Sequence, residues 1–160
     1  MNNFDSLKKA AKEAAESLGI TEYELYFVED ASIGAETYRD EISSFSSSVG
    51  SSLSFRCIVD GKLGYASTAL LTEDEVRSLV SRAADNAKLI EKDEKAIIFG
   101  GAKPGDYHPV EKHEFEMPDA AEVKKVVMDC RNTVYAADSQ VADGTECYAG
   151  GGESTIFLYN

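Results

Sequence analysis

The strongest constraint on the fold is a long alternation of apolar and polar residues from Phe45 to Val59. Nearly all odd positions are apolar, whereas the even positions up to Arg56 carry serine, glycine or arginine. Successive side chains of a β-strand point to opposite faces, so this period predicts strands with one buried and one solvated face. Residues 43–54 contain eight serines, a composition that is also typical of a flexible linker. The length of the alternation favours paired strands, with a turn near Gly50.

A tight turn is indicated directly after this stretch, where Asp60-Gly61 separates two strand-like runs. Asp-Gly between such runs is the strongest short-range signal for a β-hairpin. A two-residue turn also sets the register, and the predicted partners are Val59 with Lys62 and Cys57 with Gly64.

Two amphipathic helices are predicted on either side of these strands. The first carries apolar residues at helical spacing from Phe4 to Leu18 and stops at Gly19. The second has Thr72 as its N-cap, with Glu75 completing a capping box. The predicted core face of this second helix consists of Val76, Leu79, Val80, Ala83, Ala84 and Ala87.

A third helix is predicted to open at Pro118-Asp119. Its apolar residues are Val123, Val126, Val127, Cys130, Val134 and Tyr135. A Gly/Pro-rich connection near residues 99–117 precedes it, and further strands are predicted at residues 22–28, 33–38, 147–149 and 155–159. Helices and strands do not alternate regularly, so we expect an α+β fold in which three helices pack on a mostly antiparallel sheet.

Length and composition limit the function classes. The 160 residues, 43% of them hydrophobic, suit one globular domain that spans residues 1–160. A net charge of −13 disfavours nucleic acid as a partner, because phosphate binding depends on lysine and arginine clusters. No stretch is apolar enough for a membrane span, so we expect no membrane association and a cytoplasmic location. The scattered cysteines fit reduced thiols better than a disulfide framework: Cys57, Cys130 and Cys147.

Candidate metal ligands are few. His113-Glu114 resembles the start of a zinc-binding helix, in which a second histidine one turn later faces the same metal. Met117 and Pro118 stand where that histidine would fall, and the proline would disrupt the helix. The only other histidine, His108, lies in the Gly/Pro-rich connection and is interpreted as a loop residue. The sequence therefore predicts no metal site.

The other candidate motifs also have structural interpretations. Gly150-Gly151-Gly152 precedes a strand-like run rather than a helix, which favours a hairpin turn or bulge over a phosphate loop. The acidic residues at positions 73–75 fall in the first turn of a helix, where negative charge is favourable. A cysteine nucleophile among the three thiols remains a further alternative. No catalytic residue is predicted, and the binding residues are unknown at this stage.

One stretch is specific enough to carry a family resemblance. Residues 55–68 read FRCIVDGKLGYAST and are followed by the capped helix, which ends with ADNAK at residues 84–88. Together with YELY at residues 23–26, they resemble the N-terminal domain of the TldD/PmbA family of peptidases. Members of that family are also described as modulators of DNA gyrase and as peptide-maturation proteins. The matching elements are the hairpin Arg-x-x-x-Asp-Gly-x-x-Gly-aromatic-Ala-Ser, the helix after it and the first strand.

The resemblance implies zinc chemistry outside this chain. In the family, a His-Glu-x-x-x-His helix and a later cysteine hold zinc in the C-terminal half of a much longer chain, so we expect no cofactor here. The resemblance also implies pairing of a metal-bearing TldD-type subunit with a metal-free TldE/PmbA-type subunit, which together cleave leader or unfolded peptides. Residues 84–96 are slightly more similar to the PmbA type.

The expected function is that of a non-catalytic N-terminal domain, which provides a scaffold, dimer contacts and a wall of the peptide chamber. Its expected partners are its own C-terminal domain, a homo- or hetero-oligomer of TldD/PmbA type and a peptide substrate. The strand pattern at residues 155–160 has no turn or polar tail after it, so we expect the chain to be a fragment. The alternative is a stand-alone module that captures an extended peptide or a protein partner at a Ser-rich sheet edge.

Overall fold

The structure, a computed structural model, describes residues 4–91, 95–101, 103, 105, 108, 111, 114–141 and 145–160. The elements are α1 (Phe4–Ser17), β1 (Tyr23–Tyr38), β2 (Glu41–Val59), β3 (Lys62–Thr68), α2 (Glu73–Lys88), α3 (Ala120–Ala137) and β4 (Glu146–Tyr159). The strands form one sheet in the order β3-β2-β1-β4. The predicted α+β fold is confirmed for the described residues. None of the helices among them is long and apolar enough to cross a bilayer.

The chain divides into two compact units. The first unit comprises Met1–Glu29, Ser51–Val110 and Thr155–Asn160, and the second comprises Asp30–Gly50 and Glu111–Ser154. Strands β1, β2 and β4 contribute residues to both units. The assignment of residues 1–160 to a single N-terminal domain stays a prediction. The predicted Gly/Pro-rich connection lies largely outside the described residues.

The core of the first unit lies between the sheet and helices α1 and α2. The alternation in the sequence places Leu53, Phe55 and Cys57 of β2 on the inner face, where all three are fully buried. All six predicted core residues of α2 are buried as well, so the predicted face of this helix is confirmed. Burying one large apolar side chain contributes about 1.5–3 kcal/mol, and this core therefore dominates the stability of the unit.

The predicted hairpin between β2 and β3 is confirmed. Val59 pairs with Lys62 and Cys57 with Gly64, in the predicted register. Asp60 and Gly61 have φ angles of 51° and 76°. Positive φ at both central residues is the mark of a type I′ turn, whose twist matches that of the two strands.

Gly64 of β3 marks a very close approach between the sheet and α2. A Cβ atom at this position would overlap the carbonyl oxygen of Ala83 and lie 2.9 Å from the Cβ of Ala87. The backbone of the helix therefore lies directly on the strand, and a residue with a side chain does not fit. This contact lets the apolar face of α2 reach the core.

Three predicted strand interruptions are wrong. One strand runs from Tyr23 to Tyr38 where two were expected, β2 continues through Gly50 where a turn was expected, and β4 continues through residues 150–152. Glycine was interpreted as a turn signal in the last two cases. None of these four glycines has a positive φ, so the extended backbone passes through them.

The tight connection between β1 and β2 was not identified from the sequence. It is formed by Arg39 and Asp40, and Arg39 adopts a left-handed φ of 59°. The carbonyl oxygen of Arg39 accepts a hydrogen bond from Nε of Arg131 at 2.8 Å, which ties the turn to α3. Arginine is not a residue that marks turns, so the sequence offered no signal here.

The helix starts agree with the sequence, with one correction. The side chain of Thr72 accepts a hydrogen bond from the backbone N–H of Glu75 at 3.3 Å, which confirms it as the N-cap of α2. The carboxylate of Glu75 binds Arg82 at 2.7 Å instead of completing the predicted capping box. A full capping box occurs at α3, where Asp119 accepts from the N–H of Glu122 at 2.8 Å and Glu122 accepts from the N–H of Asp119 at 2.9 Å.

The second unit has a smaller core beneath α3. Its buried apolar residues are Ile33, Ala35, Val123, Val127 and Cys147. Only part of the predicted apolar face of α3 is buried, because Val126 is 55% exposed and Cys130 is also exposed. Two apolar side chains of α3 therefore remain accessible on this unit.

We expect Gly64→Ala to destabilise the first unit, because the added methyl group would push α2 away from β3. Overpacking of this kind costs about 3 kcal/mol. Gly50→Ala is the matched control, since the same change in the neighbouring strand meets no atom within 4 Å. Urea unfolding followed by circular dichroism should show a lower midpoint for Gly64→Ala alone. Equal midpoints for the two variants would contradict the close packing of the helix.

Candidate functional site

The second unit carries a groove of about 930 Å³ between α3 and β4, which we call the α3–β4 groove. This volume lies within the range of pockets that bind small ligands or peptide side chains. The lining residues are Glu116, Met117, Pro118, Asp119, Glu122, Val123, Val126, Tyr148, Ala149 and Gly150.

Strand β4 lines the groove with three consecutive residues, Tyr148, Ala149 and Gly150. Successive residues of a strand point to opposite faces, so three consecutive residues can line one groove along an edge of the strand. Among the described strands, β4 is the last in the sheet order. The groove therefore runs along the strand that ends this order.

Glycines make room for the Tyr148 ring in this wall. A Cβ atom on Gly150 would lie 2.5 Å from the hydroxyl oxygen of Tyr148 and 2.7 Å from the carbonyl oxygen of Ile33. A Cβ atom on Gly34 would lie 2.8 Å from the same hydroxyl. The ring thus packs across two glycines while 72% of the residue stays exposed. A close approach, rather than a turn, explains why glycine stands at position 150.

The groove combines negative charge with exposed apolar surface. Three of its ten lining residues are carboxylates, and none carries a positive charge. Asp119 and Glu122 are held by the capping box at the start of α3. Val126 and Tyr148 supply the apolar part. The lining contains no serine, cysteine or histidine, so this surface is suited to binding a cationic, partly apolar ligand and offers none of these usual nucleophiles.

The first unit has a smaller cleft of about 350 Å³ on the sheet, lined by Glu24, Tyr26, Ser54, Arg56, Leu63 and Tyr65. Arg56 forms an ion pair with Glu24: a terminal nitrogen donates to the carboxylate at 2.9 Å, and Nε lies 2.7 Å from the other carboxylate oxygen without hydrogen-bond geometry. The ion pair restrains both side chains. Arg56 belongs to the hairpin motif singled out in the sequence, and here its role is structural.

The Ser-rich stretch of β2 forms an open edge in the second unit. Strand β3 pairs only with Leu53–Val59, so Glu41–Gly50 has no β3 residue beside it. Nearly all of these residues are exposed, and Val49 is 87% exposed. Lys124 of α3 lies 4.6 Å from the centroid of the Phe45 ring. The Ser-rich stretch therefore lies at an exposed strand edge, but it belongs to the single strand β2 and not to a hairpin with a turn near Gly50.

The histidine and acidic candidates do not converge on one site. His108 is exposed, and His113 lies outside the described residues. Glu73 and Asp74 lie in the first turn of α2, where both contact Arg77. Within the described part of the chain, no three His, Cys, Asp or Glu side chains group closely enough to hold a metal ion. The expectation of no metal in this chain stays a prediction.

Cys57 and Cys130 are not activated as nucleophiles. Burial raises the pKa of Cys57 to about 11, so this thiol is almost fully protonated at neutral pH. A hydrogen bond with Cys147 raises the pKa of Cys130. The thiolate is the reactive form of cysteine, and both pKa shifts lower the fraction of thiolate at neutral pH. The alternative of a cysteine enzyme therefore finds no support in the structure.

The fold defines an α+β domain with a groove between α3 and β4. Residues 23–87 match the model of a family described as PmbA/TldA metallopeptidase domain 1. This segment contains the hairpin motif and nearly all of α2. The predicted resemblance to the TldD/PmbA family is confirmed over this segment, which is similar to the first domain of such proteins. Among curated proteins, none matches the sequence significantly.

Three solved structures share this fold. A candidate modulator of a DNA gyrase from Thermotoga maritima MSB8 is 16% identical, with a TM-score of 0.72 over 97% of this chain and 35% of that chain. A candidate modulator of DNA gyrase from Bacteroides thetaiotaomicron VPI-5482 is 18% identical, with a TM-score of 0.69 over 99% and 37%. TldE from Thermococcus kodakarensis is 23% identical, with a TM-score of 0.70 over 98% and 34%. The present chain spans about a third of the length of each.

We expect Cys57 to resist alkylation by iodoacetamide at pH 8, because the protonated, buried thiol is a poor nucleophile. The same residue should be alkylated rapidly in concentrated urea, where burial no longer raises its pKa. Peptide mass spectrometry at several time points measures both rates. Rapid alkylation of Cys57 in the folded chain would show an activated thiol and would reopen the cysteine-enzyme alternative.

Proposed function

We propose that this chain is a non-catalytic N-terminal domain of a TldD/PmbA-type peptidase, and that its α3–β4 groove forms one wall of the chamber that holds the peptide. The family match at residues 23–87 supports the assignment to such a protein. The observation that carries the peptide-binding role is a groove that combines a strand edge, carboxylates and exposed apolar side chains.

An extended peptide suits this groove for three physical reasons. Its backbone can add to the free edge of β4 through main-chain hydrogen bonds, which do not depend on the peptide sequence. Apolar side chains of the peptide can rest on Val126 and Tyr148, which are largely exposed. Lysine or arginine side chains of the peptide meet Glu116, Asp119 and Glu122. The proposed ligand is therefore an unfolded peptide with basic and apolar residues.

The rest of the proposed machinery lies outside this chain. We include in the proposal a C-terminal domain and a homo- or hetero-oligomer of TldD/PmbA type, because the chain spans only about a third of the solved structures. We assign zinc to that C-terminal part in this proposal, as the family resemblance implies. A cytoplasmic location and scaffold and dimer contacts are also part of the proposal. We do not propose DNA binding, because a net charge of −13 disfavours contacts with the phosphates of DNA.

A second candidate function is peptide or protein capture at the Ser-rich edge of β2. The observation in its favour is that Glu41–Gly50 lies beyond the register of β3 and is exposed almost throughout. Small hydroxyl side chains leave room for an incoming strand, and edges of this kind accept peptides by strand addition. The groove along β4 adds a recess to its strand edge, which favours it as the first candidate.

Three arginine substitutions that add the same charge distinguish the two candidates. The probe is a short unstructured peptide of lysine and valine residues with a fluorescent label, and anisotropy measures its affinity for the 160-residue chain. Val126→Arg places a positive charge in the groove and should weaken binding at least about tenfold. Val49→Arg alters the Ser-rich edge, and Asn132→Arg alters an exposed position of α3 that does not line the groove.

Loss of binding in Val126→Arg alone supports the groove. Loss in Val49→Arg alone would instead support capture at the Ser-rich edge. An equal reduction in all three variants, including Asn132→Arg, would mean that the peptide responds only to net charge, and both candidates would then fail.

The non-catalytic role predicts that the purified chain leaves an unstructured peptide intact in the presence of a chelator. The physical reason is that the described surfaces bring together no nucleophile, base and metal ligands. Chromatography of the peptide after prolonged incubation measures this directly. Reproducible cleavage that follows the chain through purification would overturn the proposal.

A further inference from the structure

The backbone groups that face the free edge of β2 can be identified from the hydrogen bonds of the strand. The N–H of Ile58 donates to the carbonyl oxygen of Glu22 at 2.9 Å, so even-numbered residues of β2 direct their backbone groups toward the β1 side. Successive residues of an antiparallel strand direct these groups to alternate sides. Along β2, the backbone groups of Phe45, Ser47 and Val49 therefore face the free edge.

The pairing of β1 with β2 keeps one register over this distance. The Oγ atoms of Ser32 and Ser48 lie 2.9 Å apart across the two strands. Relative to the bond between Ile58 and Glu22, these serines lie the same number of residues further along each strand. No residue is inserted between the two contacts, so the alternation holds up to the Ser-rich stretch.

The free edge of β2 carries none of the common devices that prevent strand pairing. Soluble proteins usually protect an exposed edge with lysine, proline or a bulge. From Ile42 to Phe55 the sequence contains no charged residue and no proline, although 28% of the whole chain is charged. Val49 is 87% exposed and Phe45 is 40% exposed. The edge therefore combines open backbone groups with uncovered apolar side chains.

We propose that a second copy of this chain binds here, and that the two β2 strands pair antiparallel with Ser47 on the twofold axis. This register sets Phe45 of each copy opposite Val49 of the other. An aromatic and a β-branched residue directly opposite each other form a favourable cross-strand pair. The neighbouring positions of this register are occupied by serine and glycine, whose small side chains fit beside one another.

The spacing of the apolar residues selects a second copy over an unrelated strand. Phe45 and Val49 lie at equal distances on either side of Ser47, so a twofold axis through Ser47 exchanges them. The strand is thus its own complement, whereas an unrelated peptide needs the same residues at the same spacing to cover both. Two chains with a net charge of −13 repel each other, and this repulsion is smallest where an uncharged stretch forms the contact.

This inference rests on the oligomer included in the proposed function, for which it names a contact surface. The central part of the register supplies about six main-chain hydrogen bonds. A single pair of strand edges is a small interface, so we expect a dissociation constant on the order of 10–100 μM.

The experiment measures self-association of the full 160-residue chain by sedimentation velocity, over concentrations that bracket this constant. Ser47→Lys places two like charges opposite each other at the axis and should raise the dissociation constant at least about tenfold. Ser47→Glu should do the same. An equimolar mixture of the two variants sets opposite charges at the axis, so it should form dimers again.

Ser78→Lys and Ser78→Glu are the matched controls, because they add the same charges at an exposed position of α2. Neither should change the dissociation constant. Circular dichroism of the Ser47 variants checks that the fold is retained, as expected for an exposed position.

Three outcomes would overturn the inference. The first is an unchanged chain that stays monomeric at the highest concentration. The second is a mixture of Ser47→Lys and Ser47→Glu that stays monomeric, which would exclude the axis at Ser47. The third is an equal loss of dimers in the Ser78 variants, which would show a response to net charge alone.

Failure of this inference can be distinguished from failure of the proposed function. Self-association is measured without peptide, and Val126 of the groove does not belong to β2. A monomeric chain that binds the peptide and loses it in Val126→Arg would overturn the dimer and leave the groove supported. A dimer that follows the Ser47 charges but binds no peptide would support the pairing of β2 and overturn the groove.

Discussion

The first unit depends on the contact between the backbone of α2 and strand β3 at Gly64. Because no side chain separates the helix from the strand, the carbonyl oxygen of Ala83 lies where a Cβ atom would otherwise be. The helix can then place Val76, Leu79 and Val80 in the core, where all three are fully buried. A helix held further away would leave these side chains in a gap, and cores tolerate such voids poorly.

The hairpin before α2 follows from the same requirement. The type I′ turn at Asp60-Gly61 sets Cys57 opposite Gly64, so the side of the sheet that meets the helix carries a small residue beside a buried thiol. A shift of one residue would turn every side chain of β3 to the other face. The helix would then meet Leu63 or Tyr65 in place of glycine. The turn type sets the register, and the register places Gly64 where α2 packs, so the three features depend on one another. The same stretch carries the family motif.

The sequence predicted the elements of this segment well, because each depends on short-range chemistry. The period of two in β2, the Asp-Gly turn and the N-cap Thr72 all act within a few residues. Glycine was misleading elsewhere, because its turn preference is only one reason for its use. Gly150 is required by Tyr148 and by a carbonyl group of β1, contacts that appear only when the strands are brought together. No local pattern distinguishes the two uses.

The candidate sites were less accessible to sequence analysis than the fold. The α3–β4 groove draws on three segments that are separated in the sequence, so no single motif marks it. The spacing of Val123 and Val127 indicates one face of α3, but it does not indicate the strand residues against which this face packs.

The alternation along β4 connects the core of the second unit with the groove. Neighbouring residues of a strand point to opposite sides, so Cys147 enters the core while Tyr148 is 72% exposed in the groove. A change at the sulfur of Cys147 acts on the same short piece of backbone that positions the Tyr148 ring. That ring has little freedom to adjust, because it packs closely against Gly34 and Gly150. Displacement of β4 at residue 147 would therefore move the groove wall or compress these contacts.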